Sequence, residues 1–595
     1  MPASTGSIRL TYQLQTSFGR LCEARPPQKE WHMEWLAKLF TKYPEMGVYL
    51  AVGIGYLFGR LKFRGVGLGV VTGSLLGGIL IGNFFHVPVS DQAKSLVFLL
   101  FLFGIGYSVG PSFFQNLKGD GWRWAVLGAF VPVIGLITAY IVAHFLKLDP
   151  GYSAGLLSGA LTESPAIGTA SEAIRSLSLP EEQKQLWIGH IAVADAICYI
   201  FGTLGVIWCC SSLGPKLLRF DLRAESKKVE ANLGIQRSKI GVYSAWQPIG
   251  FRAYTIPQDG LAVGKTVAEA EKSAPGVRLF VERIRRKGDI FSPVGTTVLE
   301  ANDTVAVLGR TELMIKVLGP SAHEVADPEL LEIPVASFDL YNTSKAIAGK
   351  TLQEIVDGVE EARGVLLRGI TRGGQDIPIG TNTVVKRGDS LHVTGSEAAV
   401  EKLAPVVGRV IHPTDESDLA VLGIAIFIGV LVGAMLIIPL GGLRIALGTS
   451  VGTLLAGVIV GWMRSVRPWF AIIPDGAVLF MRSIGLAAFV AMIGLKAGPI
   501  FVQAVREYGY ILFLGGIVVT LTPLIAGLFF GRYVLRLNPA LLLGGIVGAQ
   551  TMIAGVAAVQ EKSDSAVATL GYSYTAAIGH IFLTTWGTII VSLMT

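Results

Sequence analysis

Residues 159–174 read GALTESPAIGTASEAI. They set a carboxylate (Glu163), two hydroxyls (Thr162, Ser164) and Pro165 in apolar, Gly-rich surroundings. Pro165 and Gly168 interrupt a helix. Interrupted backbone inside a bilayer survives only where it is buried in protein or lines a wet cavity. The free N–H groups and positive dipole end of a broken helix suit a carboxylate or another anion. The alternative is that Thr162, Glu163 and Ser164 cap a helix in an ordinary loop. A second stretch, GAQTMIAG at 548–555, argues for the first reading. It places Thr551 opposite Thr162, Met552 opposite Glu163 and Ala554 opposite Pro165, and it adds Gln550. Two breaks at matched positions point to a transporter's substrate site.

Other ionisable groups adjoin or interrupt apolar runs: Asp195, Lys496, Arg482 and Arg444. Each is costly in hydrocarbon unless it meets a partner or water. Lys496 lies in IGLKAGP, where an earlier block, IGYSVGP, has Ser108. It reads either as a substrate ligand, as a partner of Asp195 or Glu163, or as a lysine snorkelling to the headgroups. His190 and His580 each stand in an IGHI block, which would make them equivalent and set Asp195 opposite Thr585. They could couple proton movement or simply pack.

These groups need a membrane scaffold, and the composition supplies one. The 595 residues are 51% hydrophobic and 16% charged, with 73 glycines. That is too little charge for a soluble chain, and small residues let membrane helices pack closely. The net charge of +7 fits basic loops rather than nucleic-acid binding. The four cysteines show neither metal-site nor disulfide spacing. Nucleophile-elbow, zinc-protease and phosphate-loop motifs are absent from suitable contexts, so no enzyme, metal or cofactor is expected.

Apolar runs before residue 213 and after residue 420 flank a polar middle. The two flanks repeat each other. GLGVVTGSLLGGILIG (67–82) matches ALGTSVGTLLAGVIVG (446–461), and LKLDPGYSAGLLSGALT (146–162) matches LRLNPALLLGGIVGAQT (535–551). Arg60, Lys62, Arg64, Lys118, Arg123, Arg464, Arg467, Arg532 and Arg536 fall on one side if the fifth segment of each half is re-entrant. The middle repeats too, AVGKTVAEAE (262–271) with IAGKTLQEIV (347–356). The expected fold is a polytopic α-helical membrane protein. It has two inverted repeats of about five spans plus one re-entrant or broken segment each, with 477–495 and 508–531 as separate spans. A cytoplasmic α+β insert of two repeated small domains joins them. The expected units are a polar tail (1–45), repeat 1 (46–213), two insert domains (214–325 and 326–416) and repeat 2 (417–595).

GALTESPAIGTASEA, the GYSVGP/GLKAGP pair and the halves around a double insert resemble the aspartate:alanine exchanger family of bacterial secondary transporters. The insert resembles two C-terminal lobes of potassium-conductance regulators. The resemblance implies an inner-membrane antiporter taking in aspartate and releasing alanine, electrogenically. Aspartate decarboxylation would then consume a cytosolic proton. Relatives that resemble succinate exporters leave another dicarboxylate open. A channel or ion transporter gated by the insert is the competing class, weakened by the lack of a potassium-type filter. In the exchanger reading, Thr162, Ser164, Gln550, Thr551 and helix-tip amides would take the carboxylates, around Pro165. Lys496 or Arg482 would balance charge, with Ser108 nearby, and Glu163 or Asp195 would meet the ammonium. The insert would serve dimerisation, giving a homodimer, or would bind a small-molecule ligand.

Overall fold

The computed structural model describes residues 28–595, apart from 61, 64–65, 68, 117–120, 236–248, 274–277, 320–321, 373–374, 412–415, 441–442, 447 and 468–469. The tail before residue 28, the side chains of Lys62, Arg64 and Arg444, and Lys118 therefore lie outside the described residues. After a first helix, α1 (Gln28–Lys42), the first half comprises α2 (Pro44–Arg60), α3 (Val70–Phe84), α4 (Asp91–Asn116), α5 (Gly121–Phe145), α6 (Pro150–Ala160), α7 (Pro165–Ser176) and α8 (Glu181–Trp208). A π turn at Cys209–Leu213 extends α8, and there both cysteines are fully buried. The linker helix α9 (Leu222–Leu233) leads to the insert.

The insert holds two five-stranded antiparallel sheets. The first contains β1 (Ile249–Thr255), α10 (Val267–Lys272), β2 (Leu279–Arg286), β3 (Asp289–Phe291), β4 (Thr304–Arg310), α11 (Thr311–Val317) and β5 (His323–Val325). The second contains β6 (Val335–Asn342), α12 (Leu352–Gly358), β7 (Val365–Arg372), β8 (Gln375–Ile377), β9 (Ser390–Ser396), α13 (Glu397–Val407) and β10 (Gly408–Ile411). The strand orders, β3-β2-β4-β1-β5 and β8-β7-β9-β6-β10, are the same. The repeat extends to single atoms. Thr266 with Glu269, and Thr351 with Glu354, close the same capping box. Each second strand carries its register shift at the same place, at Glu282 and Arg368.

Asp303 and Asp389, in the ND and GD turns, each grip an arginine with both oxygens, Arg286 at 2.9 and 2.7 Å and Arg372 at 2.7 and 2.7 Å. Asp389 is completely buried and Arg372 nearly so, whereas the Arg286 side chain keeps 24% of its exposure. Removing one partner of a buried pair strands the other charge at a cost of about 3–5 kcal/mol. Asp389→Ala is therefore expected to destabilise the second insert domain by about that amount. Asp303→Ala is expected to cost less, because water reaches Arg286. Thermal or denaturant unfolding of both variants checks the order; equal losses would contradict it.

The second half contains α14 (Leu419–Met435), α15 (Gly448–Val466), α16 (Asp475–Phe529), α17 (Pro539–Ala549), α18 (Ile553–Ser563) and α19 (Ala568–Met594). Among the described residues, six helices are long and apolar enough to cross a bilayer, and three shorter ones are apolar. The two halves are inverted. Gly485 of α16 faces Val97 and Phe101 of α4, while Gly104 faces Val478, Met481 and Arg482, so these equivalent stretches run antiparallel. Likewise Gly515 faces Val142 and Gly527 faces Val131, with the Phe130 and Phe530 rings stacked at 4.0 Å. Equivalent elements of opposite direction are the mark of a pseudo-two-fold axis in the membrane plane.

The close approach of these helices depends on glycine. An added Cβ would sit 2.2 Å from the Leu454 carbonyl at Gly106, and 2.4 Å from the Leu75 carbonyl at its counterpart Gly494. The expected spans 477–495 and 508–531 are both present, within one continuous 55-residue helical stretch, α16, and their antiparallel contacts with α4 and α5 make them run in opposite directions. The stretch QAVREYGY (503–510) has no turn signal, whereas NLKGDGW (116–122) in the first half has Gly119-Asp120-Gly121.

Candidate functional site

α6 and α17 have 11 residues each, about 16 Å of helix. That is about half the thickness of a bilayer core. Both are built alike. Lys147 (φ 53°) and Arg536 (φ 54°) turn the chain. Asp149 and Asn538 then cap the helices through their side chains, with Pro150 and Pro539 in the first helical position. Both end alike as well. Thr162 and Thr551 have φ 56°, the left-handed region that glycine usually fills. The Glu163 amide reaches back to Ser158 O (2.9 Å) and the Met552 amide to Val547 O (3.1 Å). A β-branched residue held in this region costs about 1–3 kcal/mol, and the chain holds two at matched positions.

The two breaks meet. Thr162 Oγ1 lies 3.4 Å from the Gln550 carbonyl. Thr551 Oγ1 donates to Glu163 Oε2 at 2.5 Å. Helix α19 closes the other side: Thr584 Oγ1 donates to Glu163 Oε1 at 3.1 Å, and His580 Nδ1 is 3.3 Å from the same oxygen. Glu163 is 1% exposed. It lies two residues before Pro165, the first residue of α7, whose positive dipole end favours its charge. Gln550 is fully buried, and neither end of its amide has a hydrogen-bond partner among the described residues. An unpaired buried amide costs free energy unless something binds it. Ser164 is buried beside Pro165 and makes no side-chain capping bond, so the ordinary-cap reading does not hold there.

Arg482 approaches from α16. Its guanidinium is 3.5 Å from Ser108 Oγ, and no carboxylate lies within ion-pair distance among the described residues. The Arg482 side chain also packs against Gly104 of α4.

Three expected site residues are elsewhere. Lys496 Nζ pairs with Asp91 at 3.1 Å and reaches Gln185 at 3.3 Å; Lys94 and Arg175 share the same carboxylate. Asp195 accepts a bond from Ser158 Oγ (2.7 Å) between α6 and α8. His190 bonds Asp149 at 2.6 Å and stacks on Tyr152, at the start of α6.

The equivalence of His190 and His580 is also corrected. Gly155 packs on Ile191 as Gly544 packs on Ala568, and Gly159 packs on Asp195 as Gly548 packs on Tyr572. Asp195 therefore matches Tyr572, not Thr585, and the IGHI blocks lie out of register. They coincide because apolar helices reuse a few residue types.

Thr584, Tyr572 and Glu172 were not foreseen. Thr584 was within reach, being four residues after His580 and so on the same helix face. Glu172 accepts from Thr449 N (2.6 Å), Thr449 Oγ1 (2.6 Å) and Ser450 N (3.1 Å), fixing α7 to the start of α15 at Gly448 (φ 81°). The matched start of α3, Gly69, has the same φ of 81°, yet an added Cβ there would meet nothing within 4 Å. Its expected partner by symmetry, Glu561, is exposed.

Residues 47–214 and 421–592 match the family of predicted permease membrane regions (Asp-Al_Ex). The chain belongs to this permease family. Residues 251–318 and 335–408 match the TrkA-C domain, one match in each insert sheet. An uncharacterized transporter of Bradyrhizobium diazoefficiens is 46% identical over 517 residues, 87% of this chain and 100% of that protein. Uncharacterized transporters of Shewanella oneidensis (37% identical, 95% of this chain, 100% of that protein) and Francisella tularensis (32%, 93% and 98%) are similar along their whole length. The permease is a multi-pass membrane protein, and its role is that of a transporter.

Proposed function

We propose that this permease is a secondary active antiporter that takes up aspartate and releases alanine across the bacterial inner membrane. The observation that carries this reading is the meeting of the two breaks, with the Glu163 carboxylate on Thr551 and the Gln550 amide unpartnered. A free amino acid presents an ammonium and a carboxylate. Glu163 suits the first; the helix-tip amides, Thr162, Ser164 and the Gln550 amide suit the second. Aspartate brings a further carboxylate, and Arg482 has no carboxylate within ion-pair distance among the described residues. Alanine uses the same head contacts and leaves that subsite empty, so one site serves both directions of exchange.

The unequal helix starts support alternating access. Glu172 occupies the α15 start, whereas no described residue lies within 4 Å of a Cβ added at Gly69, the α3 start. In an inverted repeat, exchanging the conformations of the two halves converts one access state into the other. The opposite state would then seat Glu561 near Gly69. The basic loops support an insert on the cytoplasmic side.

Uptake of labelled aspartate into alanine-loaded liposomes tests the site. Thr162→Ala and Gln550→Ala are each expected to lower exchange about tenfold, the loss of one hydrogen bond to a charged group. Unchanged half-saturation and rate in both variants would remove the breaks as the substrate site. Thermal shifts with aspartate, alanine, succinate and glutamate rank the substrates, since a ligand of the folded state raises its stability.

A further inference from the structure

The two insert domains share a fold but not an interior. In the second, Leu340, Ile347 and Ile355 are buried in one apolar cluster with Leu391 and Leu403. Strand register and the aligned blocks put Tyr254, Ala262 and Ala270 at those positions in the first. Two isoleucines are thus replaced by alanines, and a leucine by a tyrosine. The space is not closed by collapse: a cavity of about 360 Å³ lies there, lined by Tyr254, Ala262, Lys265, Ala270, Glu271 and Leu318 among others. Protein interiors are close-packed, and voids above the size of a water molecule are few. A cavity of this size falls in the range of small-molecule sites, which are mostly apolar with a few placed polar groups.

Its polar groups define the occupant. Tyr254 is 2% exposed, and its hydroxyl is buried with no hydrogen-bond partner among the described residues. Lys265 lies at the rim, exposed, and no carboxylate pairs with it among the described residues. The rest of the lining is dominated by aliphatic side chains from the segment after β1, from β2 and β4, and from the end of α11. We propose that the first insert domain binds a small aromatic monocarboxylate. Its carboxylate meets Lys265, its ring fills the space left by Ala262 and Ala270, and a polar group at the far end meets the Tyr254 hydroxyl.

Occupancy has a path to the membrane half. Glu271 in the cavity wall holds Arg363 of the second domain through two bonds, at 2.9 and 2.6 Å, and Arg363 also donates to the Val281 carbonyl in the same wall. The second domain in turn sets the Lys386 ammonium 4.0 Å from the ring centre of Tyr574. Tyr574 is on α19, the helix that carries Tyr572, His580 and Thr584. The site is independent of which substrate the membrane half exchanges.

The experiment uses the full-length protein in detergent, with calorimetry and thermal unfolding. The probes are 4-hydroxyphenylacetate, phenylacetate and the neutral phenylacetamide. The parent is expected to bind 4-hydroxyphenylacetate saturably, one per chain, and phenylacetamide at least tenfold more weakly. Ala270→Ile restores the side chain of the second domain, so the variant should unfold at the parent's temperature or above it while losing binding at least tenfold. Tyr254→Phe should bind the two acids equally. No saturable binding of any probe to the parent overturns the proposal. So does binding to a well-folded Ala270→Ile variant at the parent's strength.

Discussion

Glu163→Gln is expected to lower exchange on the order of a hundredfold while leaving the protein folded. Glutamine matches glutamate in size, and its side-chain oxygen can still accept from Thr551, now 2.5 Å from the carboxylate. What disappears is the negative charge, at a site 1% exposed to solvent. A charge-assisted hydrogen bond contributes about 1.5–3 kcal/mol. At about 1.4 kcal/mol per tenfold, its loss predicts a decrease of roughly ten- to a hundredfold. The upper end applies here, because Thr584 and His580 converge on the same carboxylate as Thr551, so charge assistance is lost from more than one contact. Labelled-substrate uptake into liposomes, with thermal unfolding as the folding control, checks it. Parental exchange in a folded Glu163→Gln variant would mean that Glu163 only ties α7 to α19.

The second large effect concerns Arg482, and it separates the two substrates. Aspartate has a side-chain carboxylate and alanine has none. If Arg482 balances that carboxylate, Arg482→Ala should raise the half-saturation for aspartate about ten- to a hundredfold. Alanine:alanine self-exchange should change by less than about threefold, which is under about 0.7 kcal/mol. The variant forfeits little structural bonding, since the guanidinium's contact with Ser108 is long, at 3.5 Å. Equal losses for both substrates would make Arg482 a structural cation instead. Lys496→Ala is a useful contrast. Lys496 shares Asp91 with Lys94 and Arg175, so two cations remain on that carboxylate after its removal.

Much of this was legible in the residues, where repetition supplied the signal. The pairing of LKLDP with LRLNP predicted two helices with one design, and the turn, capping residue and proline recur at matched positions. The GKT blocks and the GD and ND turns did the same for the insert, whereas the Arg286–Asp303 and Arg372–Asp389 pairs at those turns came only with the structure. Loop charge and segment count pointed to an inverted repeat. The IGHI blocks misled, because short apolar words recur in membrane helices without structural equivalence. Lys496 misled for a related reason: a charge in an apolar run shows that a partner exists, but not which one.

The sequence by itself determined the class of the protein, its two duplications and the place of the breaks, because hydrophobic period, turn chemistry and repeated blocks are local properties of the chain. Only the tertiary structure decided which groups share the site. Thr551 and Glu163 are separated by 388 positions and Thr584 from Glu163 by 421. Pairing at that separation depends on helix direction and on glycine-lined close approach, which no local pattern encodes. The same reason explains the unforeseen cavity. Alanine at 262 and 270 is unremarked in a sequence; it becomes a void only when the fold places both beside Tyr254 with nothing to fill the gap.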